Sequence, residues 1–483
     1  MEKESTKKIY WKGLDQLSND SEFVKHAHNE FPPGPEEDLG HSRRDFLKMM
    51  GFGVAAVSLA ACEAPIRKAI PYVNKPEDST PSVANYFAST YTNGGDYCSI
   101  VVKTREGRPI KIEGNALSSV SKGGTSAQVE ASVLSLYDNA RLRFPRVGEN
   151  RKATWEELDK LVIEKLNSVG TGKIVIVSNT ILSPSTKAVI EKFKAKYPTT
   201  QHVQYDQSSH YGMLKANEES FGTAMIPSYD FSKAKVIVSV AADFLTSWLS
   251  PVEFTKQYAA TREVGENKKD MSRHYQFETG MSLAGANADY RTQIKPSEEG
   301  AVIVQLYNLL ASKAGRSTIS GGIDKPNLKK AADDLWNSRG NALVVAGSND
   351  KSVQVVVNAI NDLLGSYGST ILPNIPVNYR QGNDQAMADF VKELSAGSVA
   401  GVIFYNCNPV YDHPMGAQLA SGLSKVQVKI ATSYKEDETA ALVDYIAPDH
   451  HFLEAWNDAE PKKNHYSLAQ PAITPIFKSR AAQ

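Results

Sequence analysis

The 483-residue chain has only three cysteines, Cys62, Cys98 and Cys407, and that scarcity closes off several chemistries. A four-iron cluster normally takes four thiolates, and covalent c-type haem attachment needs Cys-x-x-Cys-His, which is absent. Three thiols cannot build a disulfide framework, and a single Cys98–Cys407 bridge is the most they allow once Cys62 is otherwise engaged. Classical zinc spacings are missing too. His450–His451 is the only adjacent pair among the 10 histidines and reads as a surface or interface pair. Charge of one sign is not in excess, since Lys plus Arg and Asp plus Glu both number 54, so there is neither a basic field for nucleic acid nor an acidic tail. No G-x-S-x-G elbow marks a serine hydrolase, no internal repeat marks a solenoid, and no apolar run reaches the roughly 20 residues needed to span a bilayer.

What is present is a globular composition, 41% apolar and 22% charged, long enough for two or three packed domains. Near the N-terminus, Ser42-Arg43-Arg44-Asp45-Phe46-Leu47-Lys48 precedes an apolar run of 13 residues, Met49 to Ala61, which ends in Leu59-Ala60-Ala61-Cys62. The pattern is that of a twin-arginine export signal, read through Arg43, Arg44, Phe46 and Leu47, closed by a lipoprotein cleavage box with Cys62 as the lipidated residue. Small residues at Ala60 and Ala61 admit a peptidase to the bond before Cys62, and two or three acyl chains on one cysteine hold a membrane where a single chain does not. The expected address is the periplasmic face of a bacterial inner membrane. The n-region is long, 42 residues before Arg43, with Trp11, His26 and His28 in it. Twin-arginine transport moves chains already folded around a cofactor or a partner, which points toward redox work.

The rest divides by pattern into a tether at 63–85, carrying Pro65, Pro71, Pro76 and Pro81, a β-rich unit at 86–150, an α/β unit at 151–330, and a second α/β unit with a C-terminal extension at 331–483. Ser99–Thr104 and Pro109–Glu113 flank the turn Arg105-Glu106-Gly107-Arg108, which predicts a hairpin. Thr154 followed by Glu157 predicts a capping box at the start of a helix whose apolar face carries Leu161, Val162, Ile163 and Leu166. Short buried runs recur at 173–178, 235–240, 341–346, 401–405 and 426–431, with helical patterns such as 301–313 between them. That alternation argues for doubly wound parallel sheets.

At this point the residues resemble a family. Cys98-Ser-Ile-Val-Val-Lys-Thr-Arg-Glu-Gly107-Arg108, continuing to Glu113-Gly114, is similar to the opening of the molybdopterin oxidoreductases, where a cysteine-ligated cluster precedes such a hairpin. Trp155-Glu156-Glu157 looks like the family's W-D-E helix start, and Ile294-Lys295-Pro296-Ser297-Glu298-Glu299-Gly300-Ala301 like its R-P-G-T-D-x-A segment. Asn406-Cys407-Asn408-Pro409 stands where the family has G-x-N-P near the pterin nucleotide, and Glu438-Thr439-Ala440, Asp444, Ala447-Pro448 and Glu454 resemble its T-E-T-A-x-x-A-D-x-x-L-P with a trailing Glu. The resemblance covers most of 86–471 and implies a small β-rich cluster domain followed by two doubly wound α/β domains, without the family's last, barrel domain.

Departures from the pattern carry the functional expectation. With Cys98 as the third ligand of C-x-x-C-x-x-x-C, the first, second and fourth positions fall on Tyr91, Gly94 and Ser126, none a thiolate, and Gln128 replaces the lysine that joins cluster to pterin. No cysteine lies between about 150 and 250, where a molybdenum ligand would come, which leaves Ser208 and Ser209 as serine alternatives. A degenerate fold of this kind behind a twin-arginine signal and a lipobox resembles the iron–sulfur subunit of bacterial alternative complex III, among the twin-arginine-translocated molybdopterin oxidoreductases. Asp449-His450-His451-Phe452-Leu453-Glu454-Ala455-Trp456-Asn457-Asp458 and Tyr466-Ser467-Leu468-Ala469-Gln470-Pro471 strengthen the match. The resemblance implies a noncatalytic scaffold that binds no cofactor and seats a ferredoxin-like domain with 4Fe–4S and 3Fe–4S clusters, multihaem cytochrome c subunits and membrane subunits that oxidise quinol. A terminal oxidase is a further partner and nucleic acid is not one. The alternative is an active periplasmic enzyme of the polysulfide or tetrathionate reductase type with a bis-molybdopterin guanine dinucleotide. A third reading, a maturation or nucleotide-binding module, has only topology behind it.

Overall fold

The computed structural model describes Ser21, Thr80 and residues 82–148, 151–266 and 268–483, and three antiparallel strands come first among its sheets. The export signal, Cys62 and nearly all of the expected tether lie outside the described residues. Strands are numbered in chain order. β1 (Ala84–Asn93) pairs with β2 (Asp96–Arg105), which pairs with β3 (Arg108–Gly114). The hairpin expected around Gly107 is present, and Glu106 and Gly107 both take positive φ, 50° and 74°, as a tight turn matched to strand twist requires. Period-two alternation turns Cys98, Ile100 and Val102 of β2 inward with Ile112 of β3. They meet Val129, Val133 and Leu136 of α1 (Ala127–Leu136).

The capping box opens α2 (Trp155–Ser168) as expected, with the Glu157 N–H on Thr154 Oγ1 at 3.2 Å. Beyond it the chain builds two parallel sheets. The larger has seven strands in the order β5-β4-β16-β15-β14-β6-β7. Its parallel core is β6 (Lys173–Ser178), β7 (Thr200–Gln204), β14 (Val399–Tyr405), β15 (Val428–Thr432) and β16 (Tyr445–Ile446). Two short antiparallel strands, β4 (Arg146–Val147) and β5 (Arg151–Lys152), extend one edge. The smaller sheet runs β11-β10-β9-β12, all parallel, from β9 (Val236–Val240), β10 (Arg273–Glu278), β11 (Tyr290–Gln293) and β12 (Ala342–Ala346). Both sheets draw strands from either side of residue 330, so strands placed in different units by pattern share hydrogen bonds.

A fourth sheet, β18-β17-β13-β8, joins β8 (Ile226–Tyr229) and β13 (Ile371–Val377) to β17 (Asn457–Lys462) and β18 (His465–Ala469) of the C-terminal extension. The pattern reading did not place it. In the larger sheet the helix α3 (Pro184–Lys196) carries the chain outward from β6 to β7, whereas β14, β15 and β16 step outward the other way. The strand order therefore reverses between β6 and β14. That switch point is where α/β sheets of this kind open a crevice at the carboxyl ends of their strands.

Candidate functional site

Two places inherit a functional expectation: the four cluster positions and the switch-point crevice. At the first, side chains fill the space. Tyr91 is buried in edge-on contact with Phe452, ring centroids 5.3 Å apart, and its hydroxyl accepts from Gln128 Nε2 at 3.3 Å. Burial and the neighbouring Asp96 push the Tyr91 hydroxyl up to about 12. Gly94, at φ 53°, turns the chain between β1 and β2 with room for a Cβ only at 3.1 Å from the Cβ of Asn179. The Ser126 hydroxyl caps α1 by accepting from the Val129 N–H at 3.3 Å. Cys98 is fully buried, its Sγ 3.4 Å from the Gly124 carbonyl, and burial pushes its thiol up to about 12, so it is held as the neutral thiol. One neutral thiol among four positions does not fit a four-iron cluster: Tyr91 and Cys98 pack in the apolar core of the β-rich unit, Gly94 and Ser126 are half-buried, and Gln128, in the place of the connecting lysine, is exposed with its amide bonded to the Tyr91 hydroxyl.

Both remaining cysteines are free thiols, so the Cys98–Cys407 bridge does not form. Ser209, one of the two serine alternatives for a metal ligand, has its hydroxyl 2.7 and 2.8 Å from the two Asp384 oxygens and accepts from the Tyr211 N–H at 3.1 Å. Ser208 is exposed, and its carbonyl accepts from Nδ1–H of buried His210 at 3.2 Å. Among the described residues no three His, Cys, Asp or Glu side chains are placed to hold a metal ion.

The second place is a cleft of about 280 Å³ at the switch point, at the small end of the roughly 300–1,000 Å³ that ligand pockets occupy. Ser178 and Asn179 end β6 there, Ser183 and Thr186 belong to the first turn of α3, and Tyr405 and Asn406 end β14. Asn93 and Gly94 reach it from the hairpin, and His450, His451, Trp456 and Asn457 from the C-terminal segment. The loops that would face a ligand are largely bonded to one another. Asn406 Nδ2 donates to Asp449 at 2.5 Å, and the same carboxylate accepts from the N–H groups of His450 and Ala482 at 2.8 and 2.9 Å. Asn408 donates to Glu438 at 2.6 Å and accepts from the Thr439 hydroxyl at 2.7 Å, so the motif expected near the pterin nucleotide and the Glu438-Thr439-Ala440 motif are brought together and bind each other.

Of His450 and His451, expected as a surface or interface pair, His450 is half-buried and lines the cleft, whereas His451 lies inside the fold. His451 is buried, its Nε2 is 2.8 Å from Ser135 Oγ, and burial with the Arg141 charge lowers it to about 4. Glu454 forms a two-pronged pair with Arg141 at 3.0 and 2.6 Å, both side chains inaccessible to solvent, and accepts from the N–H groups of His451 and Ile476. This knot ties the β-rich unit to the C-terminal segment.

Comparison with known proteins agrees with this architecture. No family model matches the sequence. The fold is that of acetylene hydratase from Pelobacter acetylenicus, with a TM-score of 0.63 at 11% identity over 82% of this chain and 67% of that one. This is the molybdopterin-enzyme fold expected from the motifs. At the level of sequence, the chain is 25% identical over 432 residues to the menaquinone reductase, molybdopterin-binding-like subunit, of Nitratidesulfovibrio vulgaris. The alignment takes in 79% of this chain and 61% of that protein, so the chain spans less than two thirds of its curated relative.

Proposed function

We propose that the chain is a noncatalytic, molybdopterin-oxidoreductase-like subunit of a membrane-associated, quinone-linked electron-transfer complex. The observation that carries this reading is that the four cluster positions hold a single thiol, Cys98, buried and neutral in an apolar core beside Tyr91, with Gln128 bonded to Tyr91 where the connecting lysine would stand. Its contribution would be surface: seating an iron–sulfur domain, multihaem cytochrome c and quinol-binding membrane subunits through interfaces that in permanent complexes run above roughly 2,000 Å². The finer assignment is alternative complex III, which oxidises quinol. The relative's name favours a second assembly, one that reduces menaquinone, in which the same scaffold role serves electron flow in the opposite direction. Export by Arg43-Arg44 and anchoring through Cys62 belong to this proposal and put the subunit at the periplasmic face.

Affinity purification of the tagged chain from membranes of its own bacterium tests the reading. The expected result is copurification of haem- and cluster-bearing subunits, with quinol oxidation or quinone reduction residing in the assembly and absent from the isolated chain. Turnover of polysulfide or tetrathionate by the isolated chain would contradict it.

A further inference from the structure

In α/β folds the phosphate of a nucleotide sits at the switch point, on the free N–H groups of the helix that follows the first strand. Here α3 begins at that place, with Ser183 as its cap and Ser183 and Thr186 lining the cleft. No donor of its first turn is free. Pro184 has no N–H, the Ser185 N–H lies 3.3 Å from Asp458 Oδ2, and the Thr186 N–H lies 3.0 Å from Ser183 Oγ. The hydroxyls are taken as well, since Ser185 Oγ donates to Asp458 Oδ2 at 2.6 Å and Ser183 Oγ donates to Asp458 Oδ1. Asp458 reaches this helix from β17 and meets the cleft through its bond to Ser183, which lines the cleft together with Asn457 and Trp456.

We propose that Asp458 is the specificity-determining residue of the switch-point cleft: an internal carboxylate in the position of a phosphate, which bars nucleotides and other phosphorylated ligands. A phosphate brought to α3 would find every first-turn donor occupied and a negative charge already in place, with the helix dipole satisfied by Asp458 instead. Asn408 on the opposite loop offers no compensation, because its amide is held by Glu438 and Thr439. The pterin nucleotide implied by the fold therefore does not fit this cleft. The inference rests on the noncatalytic reading above and names the residue that enforces it there.

Calorimetric titration of the purified full-length chain with GDP, and separately with inorganic phosphate, tests the assignment in the wild type, Asp458→Asn and Asp458→Ser, the last retaining a hydroxyl that can cap α3. The wild type should show no saturable binding of either probe, whereas Asp458→Ser should give a saturable isotherm with both, at least about tenfold tighter than the weakest affinity the titration would detect in the wild type. Wild-type binding of GDP as tight as in the variants would overturn the proposal, as would well-folded variants with no gain. If both variants unfold, the melting temperature of the wild type decides: no change with GDP supports the assignment, and a rise that scales with GDP concentration contradicts it. Molybdenum on the wild-type chain would defeat the noncatalytic reading, whereas a metal-free chain that binds GDP would defeat only the role of Asp458.

Discussion

The Arg141–Glu454 pair shows how a motif residue can be visible in the sequence while its purpose is not. Glu454 stands out as the trailing Glu of a motif, but its partner lies more than three hundred residues earlier, and nothing in local spacing joins them. Burial alone would raise the Glu454 carboxyl, yet the Arg141 hydrogen bonds and the N–H groups of Ile476 and His451 hold it below the usual carboxylate range. Replacing one partner leaves a buried charge uncompensated. Glu454→Gln should therefore destabilise the fold by about 3–5 kcal/mol in chemical denaturation, whereas an Arg141→Met, Glu454→Met pair should lose less. A cost below about 1 kcal/mol for Glu454→Gln would show that the pair is not buried as described.

Buried histidines add a pH dependence with a definite sign. His210, His274 and His451 are each lowered to about 4, by burial first and by the charges of Arg380, Arg262 and Arg141 respectively. Unfolded histidine binds its proton near pH 6.5, so between about 6.5 and 4 the unfolded chain holds more protons than the folded one, and stability falls as pH falls. Glu454 acts in the same direction at lower pH, because a lowered carboxylate contributes stability above its unfolded value and loses it as pH drops through the folded one. Each of the three histidines should remove up to about 2 kcal/mol by pH 5, read as a falling denaturant midpoint. A midpoint that is flat from pH 7 to 5 would contradict neutral burial. The burial of His451 was not legible, since a short polar segment looks the same whether it lies on a surface or under a neighbouring chain segment.

Among elements, legibility followed local signals. The hairpin at Gly107, the capping box at Thr154 and the strands at β6, β9, β12, β14 and β15 all have periodicity or turn chemistry within a few residues. β13 does not, because Pro373 and Pro376 interrupt its pattern and its register shifts between Leu372 and Val377. Proline removes a ladder donor, so such a run reads as a loop until its neighbours are known. Close approach between elements is equally invisible in sequence. Gly212, in α4 (Tyr211–Phe221), has its N–H 2.7 Å from Asn349 Oδ1, and a Cβ built on it would stand 2.0 Å from the Asn349 carbonyl oxygen, which is backbone and cannot swing away. Gly212→Ala should cost about 1–3 kcal/mol by thermal melting despite the better helix propensity of alanine, and an unchanged or raised melting temperature would show that the two elements can part.

For the whole molecule, the motifs in their shared order foretold the fold class, while the sharing of both parallel sheets across residue 330 depends on pairings between strands more than a hundred residues apart. The candidate site was legible in part: Tyr91, Gly94, Ser126 and Gln128 were singled out as departures, but that Tyr91 and Gln128 bond each other emerged only from the fold, and Asp458 gave no signal beyond an acidic residue in a motif. At this scale belongs the proposed membrane anchor. Cys62→Ser should abolish acylation of the N-terminal peptide in mass spectrometry and weaken membrane retention, and unchanged acylation would contradict the assignment of Cys62.

The central claim is that this chain keeps the fold of a molybdopterin enzyme without its chemistry. Its most direct test is the molybdenum and iron content of the chain purified from its own bacterium and separated from its partners. The account predicts neither metal bound to the chain; about one molybdenum per chain would contradict it.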